Sequence, residues 1–255
     1  MTETPRRRSV RVGVGVGLPL LAATALVALL FRLFPADATW RWGVSPAVVA
    51  GAVWAGQLWY VGFQLDAGRL GSPFWRRLFG LANAVTLARG ALYAVVAAFV
   101  VVPPSTPLAW VPALCYGFGV ALDSLDGTVA RTVGQETDIG RRLDMAFDTF
   151  GFVAAPLVAV SWGLLPIWYL ALSAARYVFR GAVWQRRVRG LPVGDLPDSD
   201  LGRYLAGVQM VFVTAALVPP VPTDVVWTLA PLVLAPSLAV FTRDYLFVSG
   251  RLPRR

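Results

Sequence analysis

Five aspartates, Asp123, Asp126, Asp138, Asp144 and Asp148, fall within 26 residues of a chain that holds only 14 acidic residues in all. Histidine is absent and Cys115 is the sole cysteine. Catalytic triads, thiolate zinc sites and imidazole bases are therefore excluded. Chemistry near neutral pH must run on carboxylates, bound metal ions or arginines. The aspartates are ordered in space by their spacing. Asp123, Gly127 and Arg131 stand four apart and share one face of a helix, with Asp126 one step round it. Gly140, Asp144 and Asp148 repeat the spacing on the helix that follows. Carboxylates from two helix ends thus converge.

Such a group repels itself, and a carboxylate inside a membrane costs about 2.5–3.5 kcal/mol. Something cationic must hold it together. An oxygen-only donor set suits two Mg²⁺ or Mn²⁺ ions, which would clamp a diphosphate and stabilise charge developing on it. Gly127 and Gly140 leave the backbone open to a ligand, and Arg131 is placed to pair with an Asp or with a phosphate oxygen. A solvated helix end accounts for any one of these aspartates, but not for the whole pattern.

The fixed positions Asp123, Asp126, Gly127, Ala130, Arg131, Gly140, Asp144 and Asp148 fit D-x-x-D-G-x-x-A-R-x8-G-x3-D-x3-D. In this the sequence resembles the CDP-alcohol phosphatidyltransferases, over roughly residues 80 to 247. Asn83, Thr86 and Arg89 resemble the Asn-x-x-Thr-x-x-Arg pattern that often opens the preceding helix of that family. The same three also read as a helix cap followed by an interfacial arginine. The resemblance implies transfer of a phosphatidyl or phosphoalcohol group from a CDP-linked donor, such as CDP-diacylglycerol or a CDP-alcohol, to an alcohol acceptor, with release of CMP. It implies Asp123, Asp126, Asp144 and Asp148 as ligands of two divalent ions, with Asp148 also the base. It implies a donor pocket lined by Gly127, Ala130, Arg131 and Gly140, with Asn83, Thr86 and Arg89 beside it. Family members are often homodimers. One departure is Thr149, where bacterial phosphatidylglycerophosphate synthases often carry a lysine; this chain has no lysine at all.

The elements that must position these residues are membrane helices. Hydrophobic residues make up 57% of the chain and charged residues 15%, and mean hydropathy is +0.63, values that exclude a soluble globular protein and a disordered one. Eight apolar runs are candidate spans: Val12–Leu30, Val44–Phe63, Val85–Val102, Leu108–Leu122, Thr149–Leu165, Ile167–Trp184, Tyr204–Pro219 and Val225–Phe241. The fourth is short and is expected to continue as helix through the Asp-containing segment. The predicted fold is all-α, a polytopic membrane bundle with a six-helix family core and two extra N-terminal helices. The expected divisions are a two-helix extension over 1–65, an interfacial amphipathic segment over 66–82, the core over 83–247 and a basic tail over 248–255. The extension carries almost no polar residues and reads as an addition to the core; its first helix reads as an uncleaved anchor.

All 23 basic residues are arginine and the net charge is +9. Placed between apolar segments, they point to lipid headgroups and phosphates rather than nucleic acid. Arg6–Arg8 with Arg11, Arg69 with Arg76 and Arg77, Arg131 with Arg141 and Arg142, Arg186 with Arg187 and Arg189, and Arg251 with Arg254 and Arg255 all fall on one side of eight alternating helices. Only Arg32 and Arg41 fall on the other. The positive-inside rule then puts both termini and the aspartate site in the cytoplasm of a multi-pass cell-membrane protein. Arg176 and Arg180 share a helix face within the sixth run and are candidates for an acceptor or lipid phosphate; snorkelling to headgroups is the alternative, and Arg203 reads the same two ways.

Two other functions fit parts of this pattern. A Mg²⁺-dependent membrane prenyltransferase needs a second Asp-rich motif, and Asp195–Asp200 reads as a solvated loop. A cation-binding transporter calls for broken helices and symmetry between halves, which the sequence lacks.

Overall fold

The computed structural model describes the backbone of residues 40–67, 81–133, 138–194 and 200–252, together with residues 25 and 29; side chains are described throughout these except at 62–67, 81–84, 125–133 and 138–143. Most of the candidate span Val12–Leu30, most of the interfacial segment, residues 195–199 and the last three residues lie outside the description. Among the described residues seven α-helices follow one another: α1 Pro46–Ala67, α2 Leu81–Ala98, α3 Val111–Val133, α4 Asp138–Ser161, α5 Ala171–Val188, α6 Asp200–Ala216 and α7 Thr223–Val248. Short 3₁₀ turns at Arg41–Gly43, Phe99–Val101 and Ile167–Leu170 complete the regular structure, with no strand among the described residues. Each of the seven described candidate spans matches one helix. The expected extension of the fourth is present, since α3 runs on through Asp123 and Asp126 to Val133. Asp144–Ser161 and Thr223–Val248 are long and apolar enough to cross a membrane; Val85–Val101 and Val111–Ser124 are shorter apolar stretches.

The chain divides into two compact units, Met1–Val158 and Ala159–Arg255. In the first, α2 is central, packing against α1 on one side and α3 on another. Its residues from Tyr93 to Ala98 are almost wholly buried. On α1 the stripe Ala47, Ala50, Trp54, Gln57 and Val61 is buried, at alternating intervals of three and four that keep one face toward a partner helix. The expected N-terminal extension therefore contributes α1 to the same compact unit as α2.

In the second unit α7 packs against both α5 and α6. Tyr169 donates its hydroxyl to Gln209 Oε1. Gln209 Nε2 in turn donates to Val233 O at 2.8 Å and to Ser237 Oγ at 2.9 Å. Pro231 and Pro236 interrupt the ladder of α7 around these acceptors. All three side chains are buried, so this network ties α6 to α7 where lone polar groups would be costly.

Candidate active site

Arg89 stands two turns into α2 and is fully buried. Its Nη1 donates to Asp123 Oδ1 at 2.6 Å and to Asp144 Oδ1 at 2.8 Å, and its Nη2 pairs with Asp148 Oδ1. One guanidinium thus gathers carboxylates from α3 and α4. Its rigid fork of donors suits this role better than a single ammonium would. The arginine side chain is 0% exposed, whereas Asp123, Asp144 and Asp148 are 33%, 39% and 20% exposed. The cation forms the floor of the cluster and the carboxylates its open side. Any ligand reaches oxygen first.

The family resemblance implies Arg89 beside the donor pocket, and the sequence alone leaves the cation that holds the aspartates to be a metal. In the described structure Arg89 meets part of that need. It does not meet all of it: among the described side chains, three carboxylates against one guanidinium leave a net charge of −2, which one divalent cation would neutralise. The three aspartates each offer an oxygen, and these oxygens lie within 4.8 Å of one another, close enough to share a metal. Hard oxygen donors in excess of local positive charge fit Mg²⁺ or Mn²⁺.

Helix packing sets the geometry through three glycines. A Cβ on Gly119 of α3 would lie 2.5 Å from the Tyr93 ring, and one on Gly151 of α4 would lie 2.7 Å from the other edge of that ring. Tyr93, one turn beyond Arg89 and fully buried, is therefore slotted between the two aspartate-bearing helices. Gly119 precedes Asp123 by one turn and Gly151 follows Asp148 by about one turn, so the slot fixes how deep both helices sit on α2. Tyr93 also packs on Tyr116, with ring centroids 5.6 Å apart. The third glycine is Gly90, whose Cβ would meet the Phe147 ring at 2.5 Å. Phe147 adjoins Asp148, so this contact sets the rotation of α4 about its axis. None of Tyr93, Gly90, Gly119, Gly151 or Phe147 was selected from the sequence. The available signal was faint: glycines four residues before and three after the aspartate pattern.

The other expected residues are placed as follows. Asp126, Gly127, Ala130 and Arg131 lie on α3 and Gly140 on the first turn of α4, with their side-chain surroundings outside the described residues, as are those of Asn83 on α2. Thr86 is buried one turn before Arg89. Thr149 is buried and donates to Met145 O at 2.7 Å, so its hydroxyl is committed to its own helix. Arg176 is half-buried and Arg180 exposed, both on α5 in the second unit. Arg203 pairs with Asp200 at 2.9 Å, with both side chains nearly fully exposed, an arrangement that contributes little to stability.

Comparison with known proteins bears on this geometry directly. A family model described as CDP-alcohol phosphatidyltransferase matches residues 79–241, a stretch that contains Arg89 and all the aspartates of the cluster. Proteins of Mycobacterium bovis and Mycobacterium tuberculosis named "Putative cardiolipin synthase" are 32% identical to this chain over 105 residues. The similarity covers 34% of this chain and 50% of each relative, so the chain spans about half the length of the curated relatives it matches.

Proposed function

This chain belongs to the CDP-alcohol phosphatidyltransferase family, and from that premise we propose that it transfers a phosphatidyl group from CDP-diacylglycerol to an alcohol hydroxyl, releasing CMP, in phospholipid biosynthesis. The observation that carries the reading is the convergence of Asp123, Asp144 and Asp148 on Arg89 from the helices that bear the family's motif. Cardiolipin is two phosphatidyl groups on one glycerol. An enzyme with the relatives' name must therefore deliver a phosphatidyl group to a glycerol hydroxyl, and we take a lipid-borne hydroxyl, as in phosphatidylglycerol, as the favoured acceptor.

Asp123, Asp144 and Asp148, with Asp126 from the same helix as Asp123, would hold the divalent ions. When bound, such ions offset the charge of the diphosphate and of the departing CMP. Asp148 takes the proton of the acceptor hydroxyl at a carboxylate oxygen. An alcohol is a weak nucleophile until that proton is shared, so the base must lie within hydrogen-bond reach. Arg89 holds Asp148 in place through Nη2 and offsets part of the charge its neighbours impose. Gly127, Ala130, Arg131 and Gly140, with Asn83 and Thr86, line the cytidine diphosphate pocket. Arg176 and Arg180 are assigned to the acceptor's phosphate, with Arg203 a weaker candidate given its exposed pairing with Asp200.

The setting is a multi-pass membrane protein with its site and both termini on the cytoplasmic side. Large apolar side chains that face outward support it, among them Leu232 at 68% exposed and Val211 at 64%, because lipid is the solvent that suits them. A homodimer is part of the same proposal. The deciding experiment is purified protein with CDP-diacylglycerol and a panel of phosphatidylglycerol, glycerol-3-phosphate, serine and an inositol phosphate, following CMP. One acceptor should stimulate release. CMP release indifferent to every acceptor would defeat the reading.

A further inference from the structure

Gln57 of α1 is only 9% exposed, yet among the described residues neither Nε2 nor Oε1 of its carboxamide has a hydrogen-bond partner. Trp54, one turn earlier on the same buried stripe and 5% exposed, has its Nε1 equally unpartnered. A buried amide without partners carries a desolvation penalty that a methionine of the same length would avoid. Inside an apolar helix such a group is a functional suspect. Its position sharpens the suspicion. A Cβ on Gly90 would lie 2.8 Å from Gln57 Oε1, so the carboxamide rests on bare glycine backbone. Gly90 follows Arg89 in α2, and the same spot is met from α4 by Phe147, which precedes Asp148. The amide thus packs against the chain neighbour of Arg89, on the helix that the sequence alone marks as an addition to the core.

The chemistry of the two side chains limits what they could bind. Together they offer N–H donors from an indole and an amide, and one carbonyl acceptor, all uncharged. Described α1 residues bring no basic group to the seam; the sequence of α1 contains no arginine. A diphosphate would call for cations. A neutral ester carbonyl or glycerol hydroxyl set among apolar chains matches an amide and an indole set among alanines and valines.

Resting on the phosphatidyl-transfer reading above, we propose that Gln57, with Trp54, binds the uncharged glycerol–ester backbone of a lipid substrate beside the aspartate cluster, so that α1 is part of the substrate site. Two lipids share this chemistry, the CDP-diacylglycerol donor and a phosphatidylglycerol acceptor, and the test separates them. The full chain in detergent is prepared as wild type, Gln57→Met and Trp54→Phe. Binding of CDP-diacylglycerol and of CDP without lipid is measured, with the KM for phosphatidylglycerol. Thermal unfolding is followed in the same samples.

Gln57→Met should unfold at or above the wild-type temperature, because it removes an unpartnered amide. It should weaken either CDP-diacylglycerol binding or the phosphatidylglycerol KM by about three- to tenfold, the size of one neutral hydrogen bond. Whichever lipid responds is the one the residue holds. CDP affinity should not change, and Trp54→Phe should move the same lipid in the same direction. Unchanged affinity for both lipids in both variants overturns the proposal. So does an equal loss for CDP, which would make Gln57 a support of the aspartate cluster, and so does a lower unfolding temperature, which would give its amide a structural bond. A wild-type protein that binds neither CDP-diacylglycerol nor CDP would instead overturn the transfer reading itself.

Discussion

Replacing Arg89 by glutamine removes a guanidinium that binds Asp123, Asp144 and Asp148 together. Arg89 donates at 2.6 Å to Asp123 and at 2.8 Å to Asp144, and pairs again with Asp148. A hydrogen bond to a charged group contributes about 1.5–3 kcal/mol, and deleting one partner of a buried ion pair costs about 3–5 kcal/mol. The carboxylates here are a fifth to two-fifths exposed, so solvent screens part of their repulsion. The lower end, about 3 kcal/mol, is the expected loss. For a chain of this size that lowers the unfolding temperature by about 6–12 °C. Unfolding in detergent, with chelator and then with excess Mg²⁺, is the assay. Mg²⁺ should restore part of the loss, since added positive charge offsets the carboxylates that Arg89 no longer offsets. CMP release should fall by more than about 100-fold, as misplacement of a catalytic group by an ångström is enough to do this. Arg89→Lys should fall between the two, because an ammonium cannot fork to three oxygens. An Arg89→Gln protein with wild-type unfolding temperature and turnover would refute the reasoning.

Further expectations follow from the same geometry. Gly151→Ala puts a Cβ 2.7 Å from the buried Tyr93 ring; it should destabilise by about 1–3 kcal/mol, an overpacking effect that Tyr93→Leu in the same chain relieves, as measured by denaturation of the single and double variants. Asp148→Asn should cut CMP release at saturating donor by about 10²–10⁴-fold if Asp148 is the base; near-normal turnover at raised Mg²⁺ would leave it a ligand only. Ser105, exposed in the loop between α2 and α3, should react as cysteine with an impermeant thiol reagent from outside cells on a Cys115→Ala background, and labelling only from the cytoplasmic side would invert the topology.

The aspartate helices were legible because carboxylates are rare in so apolar a chain and their four-residue spacing is helical on sight. The extent of α3 beyond Leu122 was legible for the same reason, since the aspartates carry the helical spacing on where the apolar run stops. The partner of those aspartates was not. Arg89 lies 34 residues from Asp123 and 59 from Asp148 in the chain, and spacing within one helix carries no information about which distant side chain it meets. Tyr93 and its glycines were hidden differently. A glycine in an apolar helix reads as generic close packing, and only coordinates reveal that two of them admit the edges of one ring. Gln57 was not legible because α1 carries two amides, Gln57 and Gln64, and their spacing does not tell which of them is buried. It is distinguished by burial without a partner, a property of the folded chain.

The central claim is that the aspartate cluster performs metal-dependent phosphatidyl transfer. The most direct test measures CMP and lipid product together, from CDP-diacylglycerol and phosphatidylglycerol, in chelator and after adding Mg²⁺ or Mn²⁺. CMP and a two-phosphatidyl product should appear in equal amounts, only with the metal, and not with Asp123→Asn or Asp144→Asn proteins. Full turnover in excess chelator, or undiminished turnover by those two variants, would contradict the account.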